Sequence, residues 1–583
     1  MDATPKTWPV MSIARAHALL TAPGARFEMQ DIAVHGIKTR VWKNAPPTLR
    51  DLFLIARSYG EREFVINDDE RVTFEEFARA SLAIAAELRR QGVVKGDRVA
   101  LIMRNLPEWP AAFMGAALVG AIVTPLNAWW TGPELEYGLV DSGAKIAFVD
   151  AERLERLAER IGRCPDLRRI YVCRHAEDLV HPAVRRLEEV TGDVMQWNDL
   201  PAGEMPDVAL APDDDATILY TSGTTGMSKG ALGTHRNMLS NIMAVGISSA
   251  RNFLRRGEPV PMIDPRTAPQ RVSLLSIPLF HATGSFAVLG PTLMVGGKLV
   301  LMRKWEPELA MQLIEREKIN QAGGVPTIAW QLIEHPARHK YDLSSLEVVS
   351  YGGAPSAPEL VRKIKATFPK SLPGNGWGMT ETSATCTHHS GEDYLNRPDS
   401  CGPAVPVCDL KIMSVDGTHE LPVGDVGELW ARGPNIVRGY WNKPKDTAHT
   451  FVDGWVRTGD LARLDEEGFC YIIDRAKDML IRGGENIYCI EVESVLYEHP
   501  AVIDAAVVPI PHHSLGEEPA AIVHLKQGMH ATEDELRALV ASKLAAFKVP
   551  VKIVFWREPL PRNANGKLLK VELRKLFAQV PVA

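Results

Sequence analysis

Cysteine is scarce in this sequence and is never arranged as a disulfide framework or a zinc site would require. The chain contains seven cysteines, an odd number without a Cys-x-x-Cys pair, which predicts a reducing, cytoplasmic setting. His335 and His339 stand four residues apart, but no glutamate occupies the HExxH position between them, so we interpret them as surface or capping residues. The adjacent His388 and His389 are interpreted as loop residues.

A long hydrophobic run is also missing. The longest one, residues 111–123, is too short to span a bilayer and contains Gly115 and Gly120, so we expect a buried helix there. The N-terminal stretch lacks the apolar core and the cleavage site of a signal peptide. No transmembrane segment is predicted, while peripheral contact between an apolar patch and a membrane surface stays open.

Positive charge is not in excess. Lysine and arginine total 66 against 72 aspartate and glutamate residues, a formal net charge of −6, which gives no electrostatic reason to expect a nucleic-acid partner. Apolar residues at 45% and charged residues at 24% are typical of a globular protein. Because 583 residues exceed a single ordinary core, we expect a large domain made of sub-lobes, or several domains.

Short apolar runs alternate with helical patterns over most of the chain, which predicts an α/β fold with parallel-type sheets. We interpret the proline-containing, charged interval 251–271 as a surface insertion. Helices are predicted at residues 151–161 and 307–317, among others. Strands are predicted at residues 98–103, 122–126, 145–149, 273–279, 298–302, 321–325 and 346–350. Past residue 477 the pattern changes to a small α+β unit, with strands at 505–509, 521–525 and 551–556 and a helix at 532–545.

One stretch predicts chemistry directly: residues 221–230, which follow a strand-like run and read TSGTTGMSKG. Its glycines let backbone N–H groups turn toward an anion, its hydroxyls donate further hydrogen bonds, and its lysine supplies positive charge. It is not a Walker A loop, because Ser228 rather than glycine precedes Lys229. A polar loop without a ligand is the simpler alternative. The candidate polyphosphate contacts are Thr221, Ser222, Gly223, Thr224, Thr225, Gly226 and Lys229.

Further motifs follow later strands. Residues 351–355 read YGGAP, and residues 376–382 read GWGMTET. Together with the phosphate loop, these segments resemble the adenylate-forming superfamily of acyl-CoA synthetases, peptide-synthetase adenylation domains and beetle luciferases. The resemblance extends from about residue 48 to residue 576. It implies a large N-terminal domain, residues 1–476, and a small mobile C-terminal domain, residues 477–583.

The resemblance implies a role for each motif. Trp377 would stack on adenine, Thr380 would contact the α-phosphate and Glu381 would hold Mg²⁺, and a flat apolar face and a hard carboxylate suit those ligands. Many members have tyrosine where Trp377 stands, which changes the hydrogen bonding there. The other implied nucleotide contacts are Gly353, Ala354, Pro355, Gly376, Gly378 and Met379. The implied acyl pocket comprises Gly352, Gly378, Thr382 and His281, the last in the segment PLFHATG; a satisfied structural histidine is the alternative for His281.

The C-terminal third contains four more segments of the same resemblance. Asp460, in TGD, and Arg475, in DRAKD, would bind the ribose. Lys477 would be the hinge, and the turn formed by Gly483, Gly484 and Glu485 would touch CoA after the small domain rotates. Lys567, in PRNANGK, would be the catalytic lysine of adenylation.

The implied function is that of an AMP-forming acyl-CoA ligase that uses ATP, Mg²⁺ and CoA. It would convert a carboxylic acid to an acyl-AMP with release of pyrophosphate, and then pass the acyl group to CoA. Apolar or small residues in the acyl segments favour a medium- or long-chain fatty acid, with an aromatic acid as the alternative. Another acceptor, such as a carrier protein or an internal hydroxyl that closes a lactone, and a non-enzymatic nucleotide sensor stay open. We expect a monomer or a homodimer.

Overall fold

The computed structural model describes residues 8–221, 227–353, 358–483, 485–563 and 567–577. Predicted site residues outside these ranges are Ser222, Gly223, Thr224, Thr225, Gly226, Ala354, Pro355 and Gly484. In the described ranges, every helix is too short or too polar to cross a membrane.

The first of two eight-stranded sheets is parallel except for its last two strands at one edge. The antiparallel pair comprises the strands on either side of the phosphate loop, with Tyr220 opposite Gly230. From that edge its strands are Gly439–Tyr440, Gly230–Thr234, Asp215–Tyr220, Ile122–Pro125, Arg98–Ile102, Ala144–Asp150, Arg169–Cys173 and Val184–Arg186.

The second eight-stranded sheet is parallel in its centre and antiparallel at both edges. Its strands in order are Thr387–Ser390, Leu372–Trp377, Val348–Gly352, Gln321–Gly324, Val272–Leu275, Lys298–Leu301, Glu63–Asn67 and Glu70–Thr73. The carboxyl ends of its central strands lead into the segments of His281, Gly353 and Gly378. Ligand crevices of open α/β sheets form at such ends.

Apolar helices fill the space between the two sheets. Helix Glu108–Leu118 is buried at every position, so its sequence has no polar face and no amphipathic period. Its neighbours Leu49–Arg57 and Phe74–Arg90 begin with Thr48 and Thr73 in capping boxes, which satisfy the first N–H groups of each helix. One cluster of buried residues joins these helices to both sheets, for example Phe113 with Val99 and Leu275.

A long helix, His235–Arg255, packs beside the second sheet and contributes to the cavity described below. We name it the roof helix. The remaining helices of the large domain are Ile13–Leu20, Gly132–Ser142, Ala151–Leu157, Glu188–Thr191, Gly290–Val295, Pro307–Glu317, Pro326–Glu334, Pro358–Thr367, Glu392–Asn396 and Pro444–Thr450.

Two smaller sheets complete the fold with a short hairpin, Met29–Val34 with Ile37–Trp42. The third sheet is antiparallel and contains Gly402–Pro403, Phe469–Arg475, Trp455–Leu464, Gly427–Arg432 and Asp409–Met413, with Phe451–Val452 beside it. The fourth belongs to a separate C-terminal domain and contains Glu485–Ile487, Leu480–Arg482, Gly516–Leu525, Val502–His512 and Lys552–Trp556. Helices Cys489–Leu496, Glu533–Lys543 and Lys570–Arg574 accompany it. This architecture confirms the predicted α/β class.

Three local expectations from the sequence were wrong. The predicted helix at 111–123 ends at Leu118, because Gly120 takes a positive φ of 75° and a strand begins at Ile122. Arg251 lies in the buried roof helix rather than in a surface insertion. His388 and His389 lie in the strand Thr387–Ser390, not in a loop.

Candidate active site

A cavity of about 2340 Å³ opens at the carboxyl ends of the strands of the second sheet. Its wall includes Thr221 and Lys229, at the two ends of the phosphate loop beside the first sheet. The C-terminal domain contributes Lys567, the end of strand Phe469–Arg475 contributes Arg475, and the segment that follows this strand contributes Lys477. A second cavity, of about 1460 Å³, shares these last three residues and extends between the domains. The sequence-predicted residues therefore converge from distant parts of the chain.

The phosphate loop is closed at its base by two hydrogen bonds. Thr221 N–H donates to the Lys229 carbonyl at 2.9 Å, and Lys229 N–H donates to Thr221 Oγ1 at 3.3 Å. The Lys229 ammonium pairs with the Asp446 carboxylate and lies 5.1 Å from the centre of the Tyr440 ring. A lysine at the base of a glycine-rich loop is thus held in place by an acidic residue of helix Pro444–Thr450.

Glu381 lies in the short helical turn Thr380–Thr382 and is nearly buried. Tyr440 Oη donates to Glu381 Oε1 at 2.6 Å, and burial together with this carboxylate raises the pKa of Tyr440. The buried Asn435 fixes the same turn, since its Nδ2 donates to the carbonyls of Thr382, at 2.9 Å, and Thr385, at 3.1 Å. The carboxylate is therefore presented by a braced turn.

The turn also explains the glycine at position 378. Ser383 and Ala384 take positive φ angles of 49° and 88°, a region that non-glycine residues seldom adopt. This conformation points the Ala384 carbonyl at Gly378, where a Cβ would lie 1.3 Å from its oxygen. Thr382, expected in the acyl pocket, is fully buried within this turn, and its hydroxyl bonds to the Met379 backbone.

Trp377, Asp460 and Arg475 form one hydrogen-bonded group. The Trp377 indole Nε1 donates to Asp460 Oδ2 at 2.8 Å, and Arg475 Nε lies 2.9 Å from Asp460 Oδ1. Asp460 is almost completely buried, and the register of the third sheet places it opposite Arg475. The tryptophan that replaces the usual tyrosine thus uses its N–H to orient the carboxylate predicted to bind ribose.

Lys567 and His281 face the same cavity. Burial lowers the pKa of Lys567 to about 8, and the positive charges of Arg475 and Lys477 act in the same direction. The negative charges of Asp460 and Glu381 oppose this shift. Burial and then the charge of Lys567 lower the pKa of His281 to about 3, so this imidazole is neutral. Among the described residues its Nε2 has no hydrogen-bond partner.

The predicted CoA contacts lie elsewhere. Gly483, with φ of 57°, and Glu485 belong to the turn that joins strands Leu480–Arg482 and Glu485–Ile487. Gly483 N–H donates to the Leu515 carbonyl at 2.8 Å. Neither residue is part of the described lining of the two cavities. The structure therefore brings together the adenylation residues but not the CoA turn.

Three residues of the site could not be found from sequence motifs. Asn435, Tyr440 and Asp446 contact the motif residues but lie in a segment that contains no recognisable motif. Their positions depend on the strand Gly439–Tyr440, which pairs with the strand after the phosphate loop. A prediction of that pairing is the signal that would have located Tyr440.

Comparison with known proteins is consistent with this geometry. The family model described as AMP-binding enzyme matches residues 53–441, and the one described as AMP-binding enzyme C-terminal domain matches residues 491–567. A feruloyl-CoA synthase of an Amycolatopsis species is 33% identical over 506 residues, which cover 87% of this chain and 94% of the relative. A long-chain-fatty-acid–CoA ligase of Bacillus subtilis is 32% identical over 521 residues, covering 86% and 90% respectively.

A solved structure also has the same fold as this chain. The crystal structure of ATP-bound MatB from Rhodopseudomonas palustris superposes with a TM-score of 0.76 at 28% sequence identity. The match covers 91% of this chain and 99% of that chain.

Proposed function

This chain belongs to the family of AMP-binding enzymes and is an AMP-forming acyl-CoA ligase; on that premise we propose that its substrate is an acid with an extended apolar body. The enzyme uses ATP, Mg²⁺ and CoA, like the ligases it resembles. The relatives act on both aromatic and long-chain acids by their names, so the acid has to be argued from the cavity.

The proposed chemistry starts from the repulsion between two anions, the carboxylate of the acid and the α-phosphate of ATP. Lys567 lies between them, and its ammonium stabilises the charge that develops as the mixed anhydride forms and pyrophosphate departs. Thr380 donates to the α-phosphate, and Lys229 binds the departing phosphates together with the phosphate loop. The single observation that carries this proposal is that Lys567 lines one cavity with His281, Thr380 and Glu381.

Glu381 fits the Mg²⁺ that these ligases require. Its carboxylate supplies hard oxygen ligands of the kind magnesium prefers. The hydrogen bond from Tyr440 to Oε1 holds that carboxylate toward the cavity. When bound, the ion neutralises phosphate charge; Glu381 would hold it, and the Asn435-braced turn would fix the position of Glu381.

We place the nucleoside against Trp377 and the Asp460–Arg475 pair. We also propose that Lys477 is the hinge. The boundary between the two domains then lies between residues 476 and 477. After adenylation the small domain rotates about Lys477, which removes Lys567 and brings the turn of Gly483 and Glu485 to the thiol of CoA.

The acid would extend from His281 into the space between the roof helix and the second sheet. The roof helix lines that part of the cavity with Met243, Gly246, Ala250 and Phe253, which recur on one face of the helix. Ala287 and Val288 extend the apolar wall. Each methylene buried there adds about 0.8 kcal/mol of binding, so acids of medium or greater length should be used better than acetate.

Pyrophosphate release with and without CoA tests this proposal. Release that depends on a medium-length acid, with acyl-CoA formed only when CoA is present, is the expected result. Release without any transfer to CoA would favour another acceptor, and no acid-dependent release would favour a nucleotide sensor. A higher kcat/KM for acetate than for octanoate would contradict the extended pocket.

Two further expectations belong to this proposal. All seven cysteines are unpaired and buried, which supports a reducing, cytoplasmic setting. A monomer or homodimer stays a prediction.

A further inference from the structure

Lys567 stands in a short hairpin near the end of the C-terminal domain. At the base of this hairpin Arg562 pairs with Leu568 across an antiparallel bridge. Asn563 N–H donates to the Lys567 carbonyl at 2.9 Å, and Lys567 N–H donates to Asn563 Oδ1 at 3.0 Å. We name residues 561–563 and 567–569 the lysine hairpin. Because its two arms are bonded to each other, the position of Lys567 follows that of the whole hairpin.

An ion pair holds the first arm of the lysine hairpin on the fourth sheet. Arg562 Nη2 donates to both carboxylate oxygens of Asp504, at 2.8 and 2.7 Å. Tyr497 Oη donates to Asp504 Oδ1 at 2.7 Å, so three hydrogen bonds meet at one carboxylate. Asp504 is 8% exposed. Removal of the arginine from such a pair leaves an uncompensated buried charge, which is strongly unfavourable.

A β-bulge places Asp504 on the side of the hairpin. The strand of Asp504 has one residue more than its partner strand at Ile503. Side chains alternate between the two faces of a strand, and an extra residue reverses that alternation. Val502 packs in the core of one face. Asp504 instead shares the opposite face with Ala506, which belongs to the same buried cluster as Leu560, just ahead of the hairpin.

A second ion pair holds the end of the other arm. Lys570, three residues after Lys567, has its Nζ 2.8 Å from Glu493 Oε1, and the two side chains are mostly buried. The same oxygen accepts from Val507 N–H at 2.7 Å, in the strand that also contains Asp504. The hairpin is thus held at both ends against one strand of its own domain, on one side directly and on the other through Glu493.

The predicted CoA turn is held by different contacts. Gly483 N–H donates to the Leu515 carbonyl at 2.8 Å. Arg482, which precedes the turn, donates from Nη2 to Glu518 Oε1 at 2.9 Å. The two ion pairs of the lysine hairpin therefore act on Lys567 rather than on the turn that would meet CoA.

We propose that Arg562 and Lys570 are positioning residues for adenylation, and that their ion pairs hold Lys567 where the carboxylate and the α-phosphate meet. A displacement of about 1 Å at a reacting centre can lower a rate on the order of 10²-fold. The transfer to CoA, from which Lys567 has withdrawn, should be spared. This inference rests on the proposed function and names the groups that place its lysine.

The two half-reactions test it separately. Arg562→Gln and Lys570→Met should each lower octanoate-dependent pyrophosphate release without CoA by roughly 10- to 100-fold. Formation of acyl-CoA from synthetic octanoyl-AMP and CoA should stay near the wild-type rate, which also shows that the variants are folded. Lys570→Arg keeps the charge and should release pyrophosphate faster than Lys570→Met.

A double variant removes the complication of an unpaired buried charge. Arg562→Gln combined with Asp504→Asn leaves neither charge behind, and it should be about as slow in adenylation as Arg562→Gln alone, because the two residues act as a unit. Recovery of the wild-type rate in the double variant would overturn the positioning role of this pair.

The pH profile of pyrophosphate release distinguishes a displaced lysine from a loss of stability. Burial is the largest cause that lowers the pKa of Lys567. A hairpin released from Asp504 exposes the ammonium to water, so the decline of kcat/KM near pH 8 should move to higher pH in Arg562→Gln. A profile that keeps its position while activity falls would contradict the displacement.

Arg574→Gln is the matched control. Arg574 lies in the same helix as Lys570, is half-exposed and stands 4.0 Å from Glu517, so its loss should change neither half-reaction. Equal losses of both half-reactions in Arg562→Gln and Lys570→Met, or no loss in either, would overturn this inference while the ligase function stands. If the wild-type enzyme releases no pyrophosphate with octanoate, the proposed function fails, and this inference fails with it.

Discussion

At the scale of single residues, the site is a balance of charges around Lys567. Burial is the largest cause that lowers its pKa, Arg475 and Lys477 lower it further, and Asp460 and Glu381 support the ammonium form. The same carboxylates are held by neutral donors, Trp377 for Asp460 and Tyr440 for Glu381. The lysine is consequently charged at neutral pH but loses its proton more readily than an exposed lysine.

A pH profile of adenylation follows from this balance. The pKa of Lys567 is lowered from 10.5 to about 8, and the charged form is the active one. The value of kcat/KM should therefore be at its maximum well below pH 8 and should fall as the pH rises through about 8. Pyrophosphate release without CoA is the measurement, because it excludes titration of the CoA thiol. kcat/KM reports the free enzyme, to which this pKa belongs.

Lys567→Arg is the control for that profile. Its guanidinium stays charged throughout the range, so the variant should be slower but should lose the decline above pH 8. A decline that persists unchanged in Lys567→Arg would assign the titration to another group.

At the scale of helices and strands, the sequence predicted elements whose period is local. The predicted helix at 307–317 is present as Pro307–Glu317, and the predicted strand at 145–149 lies within Ala144–Asp150. The prediction of a surface insertion from residue 251 onward was wrong where the roof helix continues. An acidic residue far along the chain pairs with an arginine there, and this pairing permits the arginine to be buried. Arg255 Nε lies 2.7 Å from Asp393 Oδ1, 138 residues away.

At the site, too, local sequence patterns do not reveal contacts between residues that are far apart in the chain. Trp377, Asp460 and Lys567 stand in motifs and could be predicted to act together. Asn435 and Tyr440 have no motif of their own, and only the fold places them against Glu381. Local patterns thus predict the groups that bind ligand better than those that hold them.

In the proposed mechanism the small domain rotates about the segment between strands Phe469–Arg475 and Leu480–Arg482. Lys477→Pro fixes φ at this position and should hinder rotation while the adenylating arrangement described here stays accessible. Acyl-AMP should therefore accumulate and acyl-CoA formation should fall, as measured by quenching and chromatography of both products.

Lys477→Ala serves as its control, because it removes the side chain without restricting the backbone, and it should turn over without accumulation of acyl-AMP. Equal loss of both half-reactions in Lys477→Pro would indicate misfolding or a hinge located elsewhere.

At the scale of the whole molecule, the C-terminal domain is held against the large domain in a position that suits adenylation. Lys526 reaches across to Glu334 at 2.8 Å, and Lys363 of the large domain binds the same carboxylate at 2.8 Å. Burial opposes ionisation of Glu334, but the hydrogen bonds from these two lysines lower its pKa. A half-exposed ion pair of this kind contributes little stability, which is compatible with the proposed change of arrangement.

We propose that Lys567 serves only the first half-reaction, and Lys567→Ala tests this role most directly. Acyl-AMP formation, measured as pyrophosphate release, should fall by about 10²-fold or more, the scale of losing one transition-state donor. Synthetic acyl-AMP with CoA should still give acyl-CoA at nearly the wild-type rate. An equal loss in both assays would make Lys567 a structural or thioester-forming residue and would contradict the two-arrangement mechanism.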